Sequence, residues 1–191
     1  MYLSKEEVAL LDESIKYFEV GFRSYIADRI ICKYNTVDKY RDAIHNKRDS
    51  YSGESVILSS KIRAFLDNLT KESQVRKLYT LLSETKGNCD NKATINIKTE
   101  KRDAFLLISE VISLTYIFAT DLFADMLLKF NSREEYMYLA EQYRVVRNNI
   151  DHPEASIGYN YYFEVNRLIS ILTDFIHDKY FWYVSKIDLQ K

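Results

Sequence analysis

The chain of 191 residues has a formal net charge of −1, and 47% of its residues are hydrophobic. A nearly neutral chain cannot coat nucleic acid through its overall electric field, so any contact with RNA has to use a local patch. Only four glycines and one proline occur. That is too few for the turns of a β-sandwich or barrel, and the composition therefore predicts an all-α fold.

Residues 1–85 are predicted to form an N-terminal helical part. Ser4 and Glu7 have the spacing of a capping box, in which each side chain accepts a backbone N–H of the other residue, and they predict the start of a long first helix. Thr36 is a preferred N-cap residue and predicts the start of a second helix. The remaining predicted segments are the end of the second helix near 47, a polar break at 49–54, two hairpin helices at 55–69 and 71–84, and a polar loop at 86–92.

Three longer helices are predicted in the rest of the chain. Apolar residues recur every three or four positions over 99–129, which is the pattern of a central helix in a bundle. Ser132 and Glu135 form a second capping box that starts the next helix. This helix is predicted to end at Pro153, because proline disfavours helical geometry in the residue before it. A last helix is predicted over 159–186.

We expect a single domain over residues 1–191, because chains of this length usually form one hydrophobic core. Its motif-bearing core is predicted at about 99–186, with the helices of 1–85 completing the bundle.

Features of a membrane or secreted protein are not expected. The most apolar run, 111–120, is about half the roughly 20 residues that a membrane span needs. Cys32 and Cys89 are far apart and have the spacing of no paired metal site, so they are interpreted as reduced thiols of a cytoplasmic protein. We predict no membrane partner, no metal and no cofactor.

Polar side chains cluster where the helix before Pro153 ends. In a helix, Asn148 and His152 are four residues apart and share a face. Arginine can clamp a phosphate with two parallel hydrogen bonds, and histidine can transfer protons near neutral pH. The sequence also allows a structural interpretation, since Arg147 and Asp151 have the spacing of an ordinary helix salt bridge and Asn148 and His152 could be polar residues at a helix end.

The segment Arg147-Asn148-Asn149-Ile150-Asp151-His152 resembles the motif of the HEPN superfamily, the higher eukaryotes and prokaryotes nucleotide-binding domain. In that motif four to six residues separate an arginine from the histidine that follows it, commonly with a polar residue directly after the arginine. Here four residues separate Arg147 from His152, and the polar residue is Asn148. The resemblance implies an up-and-down helical bundle of HEPN type, with the first helices of this chain as additions. The segment 18–23 is similar to the opening helix of some members.

Many HEPN proteins are ribonucleases, and many act as toxins or in anti-phage defence and abortive infection. The resemblance therefore implies a metal-independent endoribonuclease that leaves 2′,3′-cyclic phosphates. HEPN enzymes have composite sites in dimers, and a single His152 cannot easily be base and acid at once, so a homodimer is expected. A toxin or defence effector would also have an antitoxin or regulatory protein as a partner. Toxins paired with a nucleotidyltransferase often carry tyrosine two positions after the histidine, where this chain has Glu154, which argues against that form of control.

The residues assigned to this site have different roles. Arg147 and His152 are the catalytic candidates, Asn148 would orient His152 or contact the phosphate, and Arg144 and Asp151 would support RNA binding. A surface ion pair is an alternative explanation for Arg144. The sequence is also compatible with two other functions. One is a catalytically silent HEPN-like module that binds RNA or protein, and the other is a helical interaction protein unrelated to HEPN.

Other histidines and aromatic residues are weaker candidates. Arg41 and His45 are separated by only three residues and precede a charged run, so we interpret them as a solvated helix face. His177 lies beside an apolar residue in the last predicted helix and is expected to be structural. The aromatic residues of 180–183 could stack bases, but at helical spacing they more often form a core or a dimer contact.

Overall fold

The described residues fold into helices. A computed structural model describes residues 1–51, 56–91, 106–152 and 156–176, without the side chains of 56–59 and 87–91. Within these ranges there is no β-strand, so the predicted all-α fold is confirmed. The helices in chain order are α1 (Lys5–Lys33), α2 (Val37–Ser50), α3 (Val56–Leu69), α4 (Glu72–Asn91), α5 (Ile108–Ile117), α6 (Ala124–Leu127), α7 (Arg133–Ile150) and α8 (Tyr159–Phe175).

Three helices begin where their capping residues predict. Before α1, the backbone N–H of Ser4 donates to Glu7 at 2.7 Å, and the N–H of Glu7 donates to the Ser4 hydroxyl at 3.2 Å. The Thr36 side chain accepts a backbone hydrogen bond in the first turn of α2. At α7 the Ser132 hydroxyl accepts the N–H of Glu135 at 3.1 Å, while the Glu135 carboxylate accepts the N–H of the residue before Ser132. Side-chain oxygens thus satisfy N–H groups that a helix start leaves unpaired.

The predicted loop at 86–92 is wrong for the residues that the structure describes. Helix α4 continues through Asn91, seven residues beyond the predicted end at 84. Extending a helix adds one hydrogen bond for each residue that is fixed, whereas starting one is costly. Weak helix formers near the end of an established helix therefore need not stop it.

The predicted continuous helix over 99–129 is also wrong in part. Helix α5 ends at Ile117, and turns separate it from the four-residue α6. Phe118 is completely buried in these turns, and Asp121 forms an ion pair with Lys47 at 2.5 Å. Tertiary packing of the turn thus overrides a helical spacing in the sequence. Residues 99–105 lie outside the described residues.

The last described helix ends earlier than the predicted 186. Helix α8 ends at Phe175, where the N–H of Ile176 donates to the carbonyl of Leu172 at 2.8 Å. Val165, Leu168 and Leu172 are buried, as the apolar spacing predicts, whereas Phe175 is only partly buried. His177 and the aromatic residues of 180–183 lie outside the described residues.

The chain divides into two compact units by its internal contacts. One unit is Met1–Phe22 with Phe123–Lys191, and the other is Arg23–Leu122. The single domain over 1–191, with its motif-bearing core at about 99–186, remains a prediction. None of the described helices is both long and apolar enough to pass through a membrane.

The first unit has a core that joins α1, α7 and α8. The rings of Phe18 and Phe22 on α1 stack with centroids 5.0 Å apart, and Tyr143 on α7 meets Phe18 edge-on at 5.5 Å. Each of these three side chains is at most 1% exposed. Burying a large aromatic side chain contributes roughly 1.5–3 kcal/mol, so this contact holds the middle of α1 against α7. The buried side chains of this core include Leu11, Ile15, Phe18, Phe22, Tyr136, Leu139, Tyr143, Val146, Val165, Leu168 and Leu172.

A hydrogen bond between the starts of α1 and α8 makes stability depend on pH. The hydroxyl of Tyr159 donates to the carboxylate of Glu7 at 2.6 Å, and this bond, with a second from the Ser4 backbone, lowers the pKa of Glu7 below 4.5. A lowered pKa stabilises the fold above the unfolded value and loses that effect as pH falls through the folded value. We expect Glu7→Gln to be less stable than wild type at pH 7 and closer to it at pH 3.

Urea unfolding midpoints at both pH values measure this difference. Glu6→Gln is the matched control, because Glu6 is an exposed neighbour in the same first turn. A gap between wild type and Glu7→Gln that stays constant with pH would show that the carboxylate charge does not contribute.

Candidate active site

The candidate site is built at the end of α7, where a buried helix face gives way to solvent. Tyr143 and Val146 are buried, Arg147 is partly buried, and Asn148 is exposed. The helix repeat of 3.6 residues produces this change of environment, because consecutive positions turn by about 100°. Arg147 thus has a stem against the core and a guanidinium near the surface.

His152 follows the last turn of α7. Asp151 is the C-cap residue, with helical backbone angles, and the N–H of His152 donates to the carbonyl of Asn149 at 3.1 Å. The His152 side chain is exposed and has no hydrogen-bond or ion-pair partner among the described residues. Its predicted position at the boundary between helix and loop is therefore found in the structure, with the ring accessible to a second molecule.

A buried carboxylate lies behind Arg147. Glu19 on α1 is 4% exposed, although it carries a charge. Its Oε1 atom accepts hydrogen bonds from the Tyr143 hydroxyl at 2.9 Å and from Nε of Arg147 at 3.0 Å. Burying an isolated carboxylate is strongly unfavourable, and a guanidinium and a hydroxyl together offset that cost. Glu19 therefore holds the Nε side of the Arg147 guanidinium, which faces the core, in place.

A second carboxylate holds Arg147 from the solvent side. Nη1 donates to Oδ1 of Asp151 at 2.7 Å, one turn along α7. Burial disfavours the charge on Arg147, but the hydrogen bond to Asp151 and the charge of Glu19 outweigh it and raise the pKa of Arg147 above its ordinary value. Among the described residues, Glu19 and Asp151 are its partners and occupy Nε and Nη1. The N–H donors on Nη2 have no partner among the described residues.

A substitution at Tyr143 measures how much its hydroxyl stabilises the buried carboxylate of Glu19. Tyr143→Phe removes the hydroxyl that donates to Glu19 and keeps the ring that packs on Phe18. We expect a loss of about 1–3 kcal/mol in the free energy of unfolding, since a buried charged acceptor loses one of its donors. Urea unfolding measures it. Tyr138→Phe is the control, because Tyr138 lies on the same helix and is 53% exposed. Equal stability of both variants would contradict a supporting role for Tyr143.

The structure places the predicted site residues in three environments. It joins Arg147 to Asp151, as the spacing of four residues predicts, and adds Glu19. Arg144 forms a two-point ion pair with Glu141, at 3.0 and 2.6 Å, which matches its alternative interpretation as a surface pair. Asn148 and His152 are exposed. Within the described part of the chain, Arg147 is therefore bonded to the two carboxylates and not to His152.

Sequence reasoning did not assign a role in the site to Glu19. A signal was present, because Glu19 lies four positions after Ile15, within the apolar stripe that includes Phe18 and Phe22. A charged residue on the buried face of an amphipathic helix requires a partner. The identity of that partner depends on a contact between positions 128 residues apart, which local spacing cannot supply.

Comparisons of this chain with models of known protein families, with curated proteins and with solved structures find no match. Among the described residues, no group of three or more histidine, cysteine, aspartate or glutamate side chains is arranged to hold a metal ion.

Proposed function

We propose that this chain is a metal-independent endoribonuclease of HEPN type, with Arg147 and His152 as its catalytic residues. One observation carries the proposal. The Arg147 guanidinium is held on its buried side by Glu19 at 3.0 Å, and the same helix end exposes a histidine five positions further on. A fixed positive charge and an accessible imidazole at the same helix end are groups that metal-independent cleavage of RNA can use.

The chemistry assigns a task to each group. A histidine base removes the proton of the ribose 2′-OH, and the 2′ oxygen then forms a bond to phosphorus. The bond from phosphorus to the 5′ oxygen breaks, and a histidine acid protonates that oxygen. The products are a 2′,3′-cyclic phosphate and a 5′-OH. Arg147 binds the non-bridging phosphate oxygens and stabilises the negative charge that develops on them.

Glu19 is proposed as a positioning residue in this mechanism. It binds Nε of Arg147, so the guanidinium plane is fixed before substrate arrives. Donors that are already oriented need no reorganisation during the reaction, which is why fixed charges are effective in catalysis. Asp151 is exposed and can be displaced from Nη1 by a phosphate, whereas Glu19 is buried and stays.

A homodimer is proposed because base and acid are required in the same reaction. One chain provides one His152, and a two-fold axis beside this residue would bring a second His152 and a second Arg147 into the same cleft. The exposure of His152 and Asn148 is compatible with such an interface. Asn148 would then orient the imidazole or contact the phosphate.

A catalytically silent module that binds RNA or protein is the second candidate. The ion pairs of Arg147 with Glu19 and Asp151 favour it, because they account for this arginine as a structural residue. A silent module would form the same dimer and bind a partner without cleaving RNA. The distinction therefore lies in the products.

The test is incubation of the purified protein with mixed cellular RNA in EDTA, followed by analysis of the fragment ends. Fragments with 2′,3′-cyclic phosphates, produced by wild type and His45→Ala and not by His152→Ala, support the proposal. His45 is a suitable control because it is an exposed histidine on α2. The same cleavage by His152→Ala would reject the assigned site, and the absence of cleavage in wild type would favour the silent module.

A role as a toxin or anti-phage effector is part of the same proposal. Expression in a bacterial host is expected to arrest growth with the wild type and not with His152→Ala. An antitoxin or regulatory protein would then be identified as the protein whose co-expression restores growth. Arrest by both forms would separate the toxicity from RNA cleavage.

A further inference from the structure

A concave surface in the Arg23–Leu122 unit has features of a binding site that the proposed nuclease does not use. Its volume is about 490 Å³, within the range of roughly 300–1,000 Å³ in which small-molecule pockets fall. We call it the lysine groove. It is lined chiefly by Lys33, Tyr34, Lys39, Asp42, Lys47 and Asp121.

Helix α2 forms one wall of the lysine groove. The residues at 39, 42, 43, 46, 47 and 50 line it, which is the spacing of a single helix face. Tyr40 and Ile44 on the adjacent face are completely buried and anchor the helix. Ala43 lies in the middle of the lining face, and its small side chain leaves space between the longer residues on either side.

The charge in the groove is positive, in contrast to the net charge of the chain. Three lysines and two aspartates line it. Lys47 pairs with Asp121 at 2.5 Å, so these two charges largely cancel. The ammonium of Lys39 donates to the side-chain amide of Asn35 at 3.1 Å, and this neutral amide brings no negative charge to offset it. With Lys33 it supplies two positive charges against the single carboxylate of Asp42, and this balance favours an anion.

An aromatic side chain completes the wall. The ring of Tyr34 is half-buried and contacts Phe118 and Tyr40 with centroids 5.5 and 6.5 Å apart. The hydroxyl of Tyr79 donates to the Tyr34 carbonyl at 3.1 Å, which fixes the backbone at the same position. A ring held in this way offers a surface on which a base can stack at little entropic cost.

We propose that the lysine groove binds a nucleotide. Lys33 and Lys39 contact the phosphate, the base lies against Tyr34, and Asp42 accepts hydrogen bonds from ribose hydroxyls. The same chemistry serves a free mononucleotide and one nucleotide of an RNA chain. The proposal does not depend on the nuclease activity, because every residue in it belongs to the Arg23–Leu122 unit.

Isothermal titration with AMP at low salt tests the groove directly. Saturable binding is expected for the wild type, with affinity about tenfold lower in Lys33→Ala or Lys39→Ala. Lys77→Ala is the control, because Lys77 is an exposed lysine on α4 outside the groove. Circular dichroism checks that the variants are folded. AMP binding that is equal in the wild type and both groove variants would overturn the proposal.

A second arm distinguishes the two sources of the ligand. An oligonucleotide of eight uridines is titrated into His152→Ala, so that no cleavage of the probe by the proposed site can affect the measurement. Binding of both probes, weakened by Lys39→Ala, indicates a free nucleotide site that also accepts RNA. Binding of the oligonucleotide alone, weakened in the same way, assigns the groove to RNA. Binding of neither probe overturns the proposal whatever the cleavage assay shows.

Discussion

His152→Ala is expected to lower the rate of RNA cleavage by roughly 10²- to 10⁴-fold, the range over which a positioned proton donor or acceptor acts. In the proposed homodimer the substitution removes base and acid together, so the upper part of this range is expected. Because the His152 side chain is exposed and has no partner among the described residues, its removal should leave the fold unchanged. Loss of cleavage at unchanged thermal stability is therefore the expected result.

The measurement is single-turnover cleavage of a labelled RNA in EDTA, with the unfolding temperature determined for each variant. His45→Ala serves as the control for a general effect of losing an exposed histidine. If His152→Ala cleaves at the wild-type rate, the activity belongs to another site or to a contaminant. If wild type is inactive and dimeric, the silent module becomes the better description.

Arg147→Met is expected to destabilise the fold by about 3–5 kcal/mol, because it leaves the buried charge of Glu19 without its cationic partner. The Arg147 side chain is 23% exposed and that of Glu19 is 5% exposed, so water screens this pair only weakly. Glu19→Gln combined with Arg147→Met should recover much of the loss, since a neutral amide costs far less to bury than a carboxylate.

Urea unfolding of the two single variants and the double variant gives the coupling between the residues. Arg144→Met is the matched control, because Arg144 lies on the same helix, directly after the buried Tyr143, and also forms an ion pair. Its pair with Glu141 is about 40% exposed on each side and should contribute under about 1 kcal/mol. A loss for Arg147→Met no larger than that of the control would show that Glu19 is not held by this arginine.

The double variant also separates folding from catalysis. Arg147→Ala could abolish cleavage simply by unfolding the protein, whereas Glu19→Gln with Arg147→Met restores stability without restoring a cation. Cleavage that is absent from a stable double variant and retained in Glu19→Gln alone would assign Arg147 to the chemistry. Cleavage present in it would leave the arginine a structural role, as the second candidate function requires.

The starts of three helices could be predicted because each depends on neighbouring residues. Ser4, Thr36 and Ser132 supply hydroxyls to N–H groups within three positions, and the structure shows all three bonds. The pair of Arg147 with Asp151 was likewise predictable from a spacing of four within one helix. Such signals lie entirely within a short stretch of sequence.

Features that depend on packing between distant segments could not be predicted in this way. The break after Ile117 places Phe118 in the core and Asp121 beside Lys47, and the apolar spacing of 99–129 contains no sign of it. Helix α4 continues through Asn91 because extending an existing helix is easier than starting one, and the turn-forming residues of 86–91 do not indicate this. For the candidate site, local sequence gives Arg147 and His152, and only the fold adds Glu19.

The contact between Glu19 and Arg147 also determines when the site can assemble during synthesis. The two residues are 128 positions apart. At a translation rate of about 5–20 residues per second, roughly 6–25 s separate their addition to the growing chain. Until α7 has left the ribosome, the carboxylate of Glu19 lacks its partner and α1 lacks the surface that buries it. Chains that end before α7 would therefore lack the proposed activity, which would appear only after Arg147 and His152 have been added and α7 has packed on α1.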